Sequence, residues 1–391
     1  QLVGVPTSTQ NYQITVSKAG YSSEKTYAVG GAANPNPVKP HSTVAPQTVT
    51  NITFSIDRLS DLNVSTLDLI CAPTGNKNFS LSGAKLIGAT PNVLKFSTSS
   101  TTNASGVKAF SNIEWDTYSL VLNEVSFDLL GAIPFTPIAV NPSSTTDFKF
   151  IIKPAEPRSL LVTMKNSSNG QPIPGAVTML TKSGFSETLV AGRNYLKFTD
   201  WSSGGYSSQS GGIEADSPMG VLKLKLNAFA TYTTSTASWL ESNTIDFGSA
   251  SSSFYSIAWN PDSQSPLAGS DSLKFQLATN NDQSTWSYLG PDGTSGTYYV
   301  QSSSTIHSSH NSKRYMRYKV FMKTDDENTT PELYDLRIDF SGTCVPSSQT
   351  LFNNLTLADY TLQVSASGFQ TVTSSVSIIG NWQQVEVEMA P

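Results

Sequence analysis

The side chains that could do chemistry are few in this chain and stand far apart. Three histidines occur: His41 lies in a Pro-rich stretch, and His307 and His310 share the run His307-Ser-Ser-His310. Nucleophilic catalysis needs a hydroxyl or thiol beside a base that a third group orients. No Ser-His-Asp or Cys-His arrangement with a strand-end setting is visible around any of the three. His307 and His310 could chelate a metal, but they read as two solvated loop histidines. Glu114 and Asp116 would lie on one strand face and could act as a paired acid and base on a glycoside, yet the flanking Trp115-Asp-Thr-Tyr118 reads first as repeat structure. No Gly-x-Gly-x-x-Gly unit or phosphate loop is present. The expectation is therefore a protein that is not an enzyme.

Binding chemistry has more candidates. Trp239, Trp286, Tyr288, Tyr298 and Tyr299 could form a glycan or partner site, because flat rings cover the C–H faces of sugars while amide and carboxyl groups fix the hydroxyls. The competing reading makes Trp239, Trp259 and Trp286 core or hairpin packing residues. Asp282, Asp292 and Asp325 sit in turns (Asn280-Asn-Asp282, Pro291-Asp-Gly293, Asp325-Asp-Glu327) whose oxygens could ligate calcium, although turn chemistry alone explains such residues. No other cofactor is implied. Cys71 and Cys344 are 273 positions apart, which excludes a CxxC, zinc-knuckle or redox motif. One long-range disulfide and two buried thiols both remain open.

The elements that must position these residues are strands. About a quarter of the 391 residues are Ser or Thr, and charged residues make up 14%, well below the usual share of roughly a quarter. Such a composition suits β structure, with Thr, Val, Ile, Tyr and Phe on pleated surfaces and Ser, Asn and Gly in turns. A net charge of -5 and a pI near 5.3, without any basic run, argue against nucleic acid. No apolar stretch reaches the roughly 18 residues of a membrane span, and the N-terminus lacks the regions of a signal peptide, so the chain reads as mature or as a fragment. The length calls for two to four domains. Seven Asn-x-Ser/Thr sequons occur, about the number this composition gives by chance, so they do not argue for glycosylation.

An internal repeat sets the organisation. Tyr12-Gln-Ile-Thr-Val-Ser-Lys-Ala-Gly-Tyr21 matches Tyr360-Thr-Leu-Gln-Val-Ser-Ala-Ser-Gly-Phe369, and Tyr118-Ser-Leu-Val-Leu122 is a shorter copy. Each reads as a half-buried strand whose alternate residues face one side. A lead-in precedes two copies at the same spacing: Phe110 and Ile113 before Tyr118, then Phe352 and Leu355 before Tyr360. A closing strand follows each copy, at Ile52, Phe54 and Ile56; at Phe148, Phe150 and Ile152; and at Val385, Val387 and Met389. Two openings are recognisable, Leu67-Asp-Leu-Ile70 running to Ser82-Gly-Ala-Lys-Leu86, and Leu160-Leu-Val-Thr-Met164 running to Pro174-Gly-Ala-Val-Thr178.

This pattern of strand, Gly-Ala strand and later Tyr-x-Leu-x-Val-Ser-x-x-Gly-Phe strand resembles the carboxypeptidase-regulatory-like and Cna protein B-type repeats, which resemble transthyretin in fold. The resemblance covers about 60% of the chain and implies tandem seven-stranded Greek-key β-sandwiches, commonly spacers in bacterial surface proteins. It divides the chain into 1–58, a module whose opening strands are missing; 59–156, a second module; and 157–201 with 344–391, a third and interrupted one. Leu2 and Val5 match the lead-in of the first module. Either upstream residues are absent from the sequence or another chain supplies the strands, because half a sandwich leaves a naked core and an unpaired edge. Some relatives of this type lock themselves by a Lys to Asn bond, and no such triad is assigned here.

The stretch 202–343 is too long for a loop and reads as an inserted domain. Its order Leu273-Lys-Phe-Gln-Leu-Ala278 to Trp286, then Arg314-Tyr-Met-Arg-Tyr-Lys319, then Pro331-Glu-Leu-Tyr-Asp-Leu-Arg-Ile338 resembles discoidin-like or other carbohydrate-binding jelly rolls. The whole arrangement looks like large pilin-like surface proteins of bacteria. Together these resemblances imply an all-β extracellular adhesin or pilus-associated stalk whose partners are glycan or other filament subunits. A purely structural filament or coat subunit is the alternative, and a binding module of a secreted hydrolase is a third.

Overall fold

The computed structural model describes residues 2–215 and 220–391. Among them the regular structure is β-strand, with two 3-10 turns at Pro266–Ala268 and Ser308–His310 and no α-helix. The all-β class holds. No helix of the described residues is long and apolar enough to cross a membrane. The backbone forms two compact units, one of residues up to Asp68 with Pro73–Ser159, the other of Leu69–Ala72 with Leu160–Pro391.

In the first unit two four-stranded sheets face each other. One has the order Val107–Ile113, Ser60–Leu67, Thr145–Pro154, Phe127–Ile133, and the other Ile138–Val140, Asp116–Leu122, Asn78–Gly83, Ser97–Thr101. The opening strand Ser60–Leu67 runs antiparallel to the lead-in strand and parallel to the closing strand Thr145–Pro154. Alternation puts Leu62, Val64, Phe79, Leu81, Phe148 and Phe150 at 0% exposure between the sheets. Each such side chain contributes roughly 1.5–3 kcal/mol. The sequence pattern predicts the opening at Leu67-Asp-Leu-Ile70. That strand in fact ends at Leu67, and Leu69 and Ile70 pack against a core of the second unit.

Residues 2–58 behave differently. They form two short antiparallel pairs, Ser8–Tyr12 with Ser42–Val44 and Thr15–Val16 with Glu24–Lys25, and the expected closing strand at Ile52, Phe54 and Ile56 is not a strand. In the complete sandwich a closing strand lies beside an opening strand, and among the described residues this segment pairs with none. Polar contacts join it to the second sandwich. Asn34 Nδ2 donates to Ile87 O at 2.9 Å and Asn36 Nδ2 to Thr90 O at 2.8 Å. An alternating ion chain adds to this: Lys39 pairs with Glu24, Lys95 lies 3.6 Å from Glu24 and 2.6 Å from Glu114, and Lys85 lies 2.8 Å from Glu114.

The second unit contains a sandwich built from both ends of its chain. Gln349–Phe352, Ser159–Asn166 and Trp382–Met389 form one sheet, and Phe185–Val190, Val177–Lys182, Ala358–Ser365 and Val372–Ile378 the other. Again the opening strand lies between lead-in and closing strand, and the repeat strand pairs antiparallel with the strand after the Gly-Ala turn. A shared device marks the two complete copies. The Tyr118 hydroxyl donates to Glu114 O at 2.7 Å, and the Tyr360 hydroxyl to Thr356 O at 3.3 Å, each four residues upstream, the geometry of a tyrosine corner.

The interruption begins and ends where Gly192 N donates to Pro346 O at 3.1 Å. This bond brackets residues 193–345. Asn194–Phe198, expected in the third sandwich, pairs with Asp335–Ser341 of the insertion, and Trp201 is buried in its core with Nε1 donating to the Tyr318 hydroxyl at 3.0 Å. One sheet of the insertion runs Asn194–Phe198, Asp335–Ser341, Ser253–Asn260, Ser304–Thr305. In the other, Tyr315–Met322 is central and pairs antiparallel with both Ser238–Ser242 and Leu273–Asn280. Phe275, Leu277, Tyr318, Val320, Ile338 and Phe340 fill the space between the sheets. Cys71, in the Leu69–Ala72 segment, forms a disulfide with Cys344 at the end of the insertion, with Cα atoms 5.4 Å apart.

If the two tyrosine corners are equivalent, Tyr118→Phe and Tyr360→Phe should each lower stability by about 1 kcal/mol, the net worth of one buried hydrogen bond. Urea denaturation would read this as two similar drops in the midpoint of the respective transitions. A silent substitution at either position would contradict the equivalence.

Candidate functional site

The outer face of the insertion's second sheet gathers four of the five aromatic candidates. In Tyr315–Met322 the even positions Met316, Tyr318, Val320 and Met322 are buried, so Tyr315, Arg317, Lys319 and Phe321 point outward. Cross-strand register then sets their neighbours. Trp239 stands opposite Phe321 and Glu241 opposite Lys319 on one side; Lys274 stands opposite Phe321 and Gln276 opposite Lys319 on the other.

The chain between 286 and 300 runs beside Leu273–Asn280 as a broken edge, touching it through the bridges Leu277 to Leu289 and Phe275 to Tyr299. Among the described residues 298–300 pairs through this one bridge, next to the turn at 290–297. Parity decides the rest. Tyr299 takes the inward position, 1% exposed, and is a core residue rather than a ligand contact. Its neighbours Tyr298 and Tyr288 are half-buried on the outer side. Gln276 holds the turn in place by donating from Nε2 to Ser295 O and Thr297 O, both at 2.9 Å.

The outward side chains form a continuous strip of alternating rings and cations. The Arg317 guanidinium lies 4.5 Å from the Trp286 ring centre and 2.8 Å from Glu241. Lys319 Nζ lies 3.9 Å over Trp239, with Tyr288 at 5.4 Å and Phe321 at 5.8 Å. Lys274 Nζ lies 4.0 Å over Tyr298, whose ring meets Phe321 edge-on at 5.2 Å. Burial, and then the Glu241 carboxylate, push the Tyr288 phenol far above its ordinary pKa, so it stays protonated. The strip offers flat apolar surface, ammonium donors and one carboxylate. Sequence reasoning found the aromatics and missed Lys274, Arg317, Lys319, Glu241 and Phe321. Alternation along 315–322 marks the outward cations of that strand; their ring partners depend on long-range register.

The remaining candidates do other work. Asp282 accepts from the backbone of Ser284 at 2.9 Å and of Thr285 at 3.0 Å, which holds its pKa at about 2. Asp292 accepts from the Thr297 and Thr294 hydroxyls and the Thr294 N–H, and Asp325 pairs with Lys323 at 2.9 Å. These carboxylates cap or pair within three separate turns, and among the described residues no three His, Cys, Asp or Glu side chains converge. Glu114 and Asp116 do not share a strand face: one follows Val107–Ile113 and the other starts Asp116–Leu122. Glu114 is neutralised by Lys85 and Lys95, and Asp116 accepts from the Lys85 and Thr117 N–H groups. The His307 ring accepts from Ser309 N–H as the cap of a 3-10 turn. His310 is not solvated. It is 1% exposed, with Nδ1 3.0 Å from the Thr279 hydroxyl, because the turn carries it beneath the sheet.

No family model matches the chain, and no curated protein matches it. Solved structures similar to it include the streptococcal ancillary pilin, at 10% identity over 38% of this chain and 53% of that one with a TM-score of 0.20. The minor pilin of Streptococcus agalactiae matches at 10% identity over 85% and 95% with a TM-score of 0.19. The full-length major pilin of Corynebacterium diphtheriae matches at 11% over 83% and 65% with a TM-score of 0.20. The chain spans about half the length of the first. Superpositions of this extent assign the chain to no family.

Two outcomes test these placements. Tyr299→Ala should destabilise the insertion by about 3–5 kcal/mol, as large aromatic truncations in cores do, whereas Trp239→Ala should change its denaturation midpoint little; equal losses would refute the inward and outward assignment. Burial, and secondarily the charge of His307, hold the His310 pKa down at about 4. Between pH ~6.5 and 4 the unfolded chain then binds the extra proton, so stability rises with pH across that window and about 3 kcal/mol is lost on acidification. His310→Asn should flatten that slope in denaturation midpoints measured from pH 7 to pH 4.

Proposed function

We propose that this is a non-catalytic bacterial cell-surface protein, pilus-associated, in which the sandwiches act as a stalk and the insertion presents a glycan-recognition face. In this reading 59–156 and the interrupted 157–192 with 346–391 are transthyretin-like repeats, and 193–345 is a carbohydrate-binding jelly roll. The repeat reading is supported by the central opening strand and the tyrosine corner common to both complete copies. A load-carrying role agrees with a surface hydrated by hydroxyls more than by ions.

The observation that carries recognition is the strip of Trp239, Trp286, Tyr288, Tyr298 and Phe321 on one sheet face. The five rings are half-buried and contiguous, and contiguous apolar surface rimmed by polar groups marks interaction surfaces. The adjoining groove beside Lys274 and Phe321 is only about 140 Å³, below the roughly 300 Å³ of pockets that enclose a small molecule. A flat strip of this kind suits an extended saccharide lying across it.

The full chain applied to a glycan array should be retained on at least one saccharide class, and Trp239→Ala with Trp286→Ala should remove the retention without altering the denaturation midpoint. Fibre formation seen by electron microscopy, with no glycan retained, would instead support a purely structural filament subunit.

A further inference from the structure

We infer that the strip takes an anionic polysaccharide, one whose sugar rings carry carboxylate or sulfate groups; this deepens the glycan reading and rests on it. The reason is the charge that the strip leaves unanswered. Across the chain acids exceed bases, 29 to 24, yet on this face, beyond the self-contained pair of Arg314 with Asp246, the cations Lys274, Arg317 and Lys319 meet the carboxylate of Glu241. Glu241 is already engaged, because Arg317 Nη1 lies 2.8 Å from it and Arg317 Nε donates to the Thr244 hydroxyl at 3.0 Å. Lys319 and Lys274 are the free charges. Among the described residues each has aromatic rings as its close partners, at 3.9 Å from Trp239 and 4.0 Å from Tyr298, and no ion pair.

Position makes that pairing useful. Lys319 stands opposite Gln276, and Lys274 is two residues before Gln276 on the same strand, so the two lysines are diagonal neighbours roughly 7–8 Å apart at the backbone. Two anionic substituents of one chain can therefore engage both. The rings beside the ammonium groups displace water from one side and hold the long side chains in place, which reduces the ordering needed when an anion arrives. Charge-assisted hydrogen bonds from Lys Nζ would then fix substituents while Trp239 and Tyr298 cover ring faces. Asp271 and Lys323 line the groove at the far end with Lys274; Lys323 is already paired with Asp325, so Asp271 offsets part of the positive charge there, and Lys274, Arg317, Lys319 and Lys323 still outnumber Glu241, Asp271 and Asp325.

The test is affinity electrophoresis of the full chain through gels containing polygalacturonate, chondroitin sulfate or neutral dextran. Retardation by one or both acidic polymers is expected, the pair separating carboxylate from sulfate recognition, and raising the salt should weaken it. The double variant Lys274→Gln, Lys319→Gln should lower apparent affinity at least about tenfold with its denaturation midpoint kept. Retardation by dextran that the double variant leaves unchanged and Trp239→Ala abolishes would overturn the anionic inference while sparing the glycan reading. Passage unretarded through all three gels would overturn both.

Discussion

The insertion depends on the register of one strand. Tyr315–Met322 carries core residues on one side and the aromatic-cationic strip on the other, and it is paired on both edges. Because side chains alternate with a period of two, a slip of one residue would put Arg317 and Lys319 among Phe275 and Leu277 and expel Tyr318 and Val320. Burying two unpaired cations is far costlier than losing a few contacts, so the charges on the outer face also enforce the register of the inner one. One strand thus supplies both part of the buried core and the outward cations of the strip.

A sandwich whose opening and lead-in strands are nearly two hundred residues apart tolerates its interruption for a geometric reason. The segment 193–345 leaves and rejoins at adjacent points, where Gly192 meets Pro346, and the entropy of closing a loop grows only with the logarithm of its length. The third sandwich therefore keeps the strand order of the second around its own core, with Leu160 paired to Phe352 and Met389 fully buried.

Alternation made the complete sandwiches legible. Tyr118, Leu120, Tyr360, Leu362 and Val364 face inward as their spacing requires. Where the same signal fails, the cause is physical. Asn194–Phe198 alternates as well in either domain, and only its partner strand decides where it belongs. Tyr298 and Tyr299 are chemically alike, so the bridge that turns one inward is invisible in composition. Ile52, Phe54 and Ile56 have the pattern of a strand without the neighbour that would make them one. The strip is hidden in the sequence because its parts come from segments around 239, 274, 286–298 and 315–322, which only long-range pairing brings together. The buried His310 was unreadable for a similar reason: the Ser-rich run around it looks like a solvated loop until the turn folds under the sheet.

The bond between Cys71 and Cys344 has a mechanical consequence. Any tension applied between the two chain ends crosses from residue 71 directly to residue 344 through sulfur. Residues 72–343, which include most of the second sandwich, the opening strands of the third and nearly all of the insertion, then lie outside the covalent path of the force, coupled to it only through non-covalent strand pairing. A pull between the ends must first strip the strands flanking the bridge, and the backbone of 72–343 carries none of the covalent tension until the sulfurs are reduced.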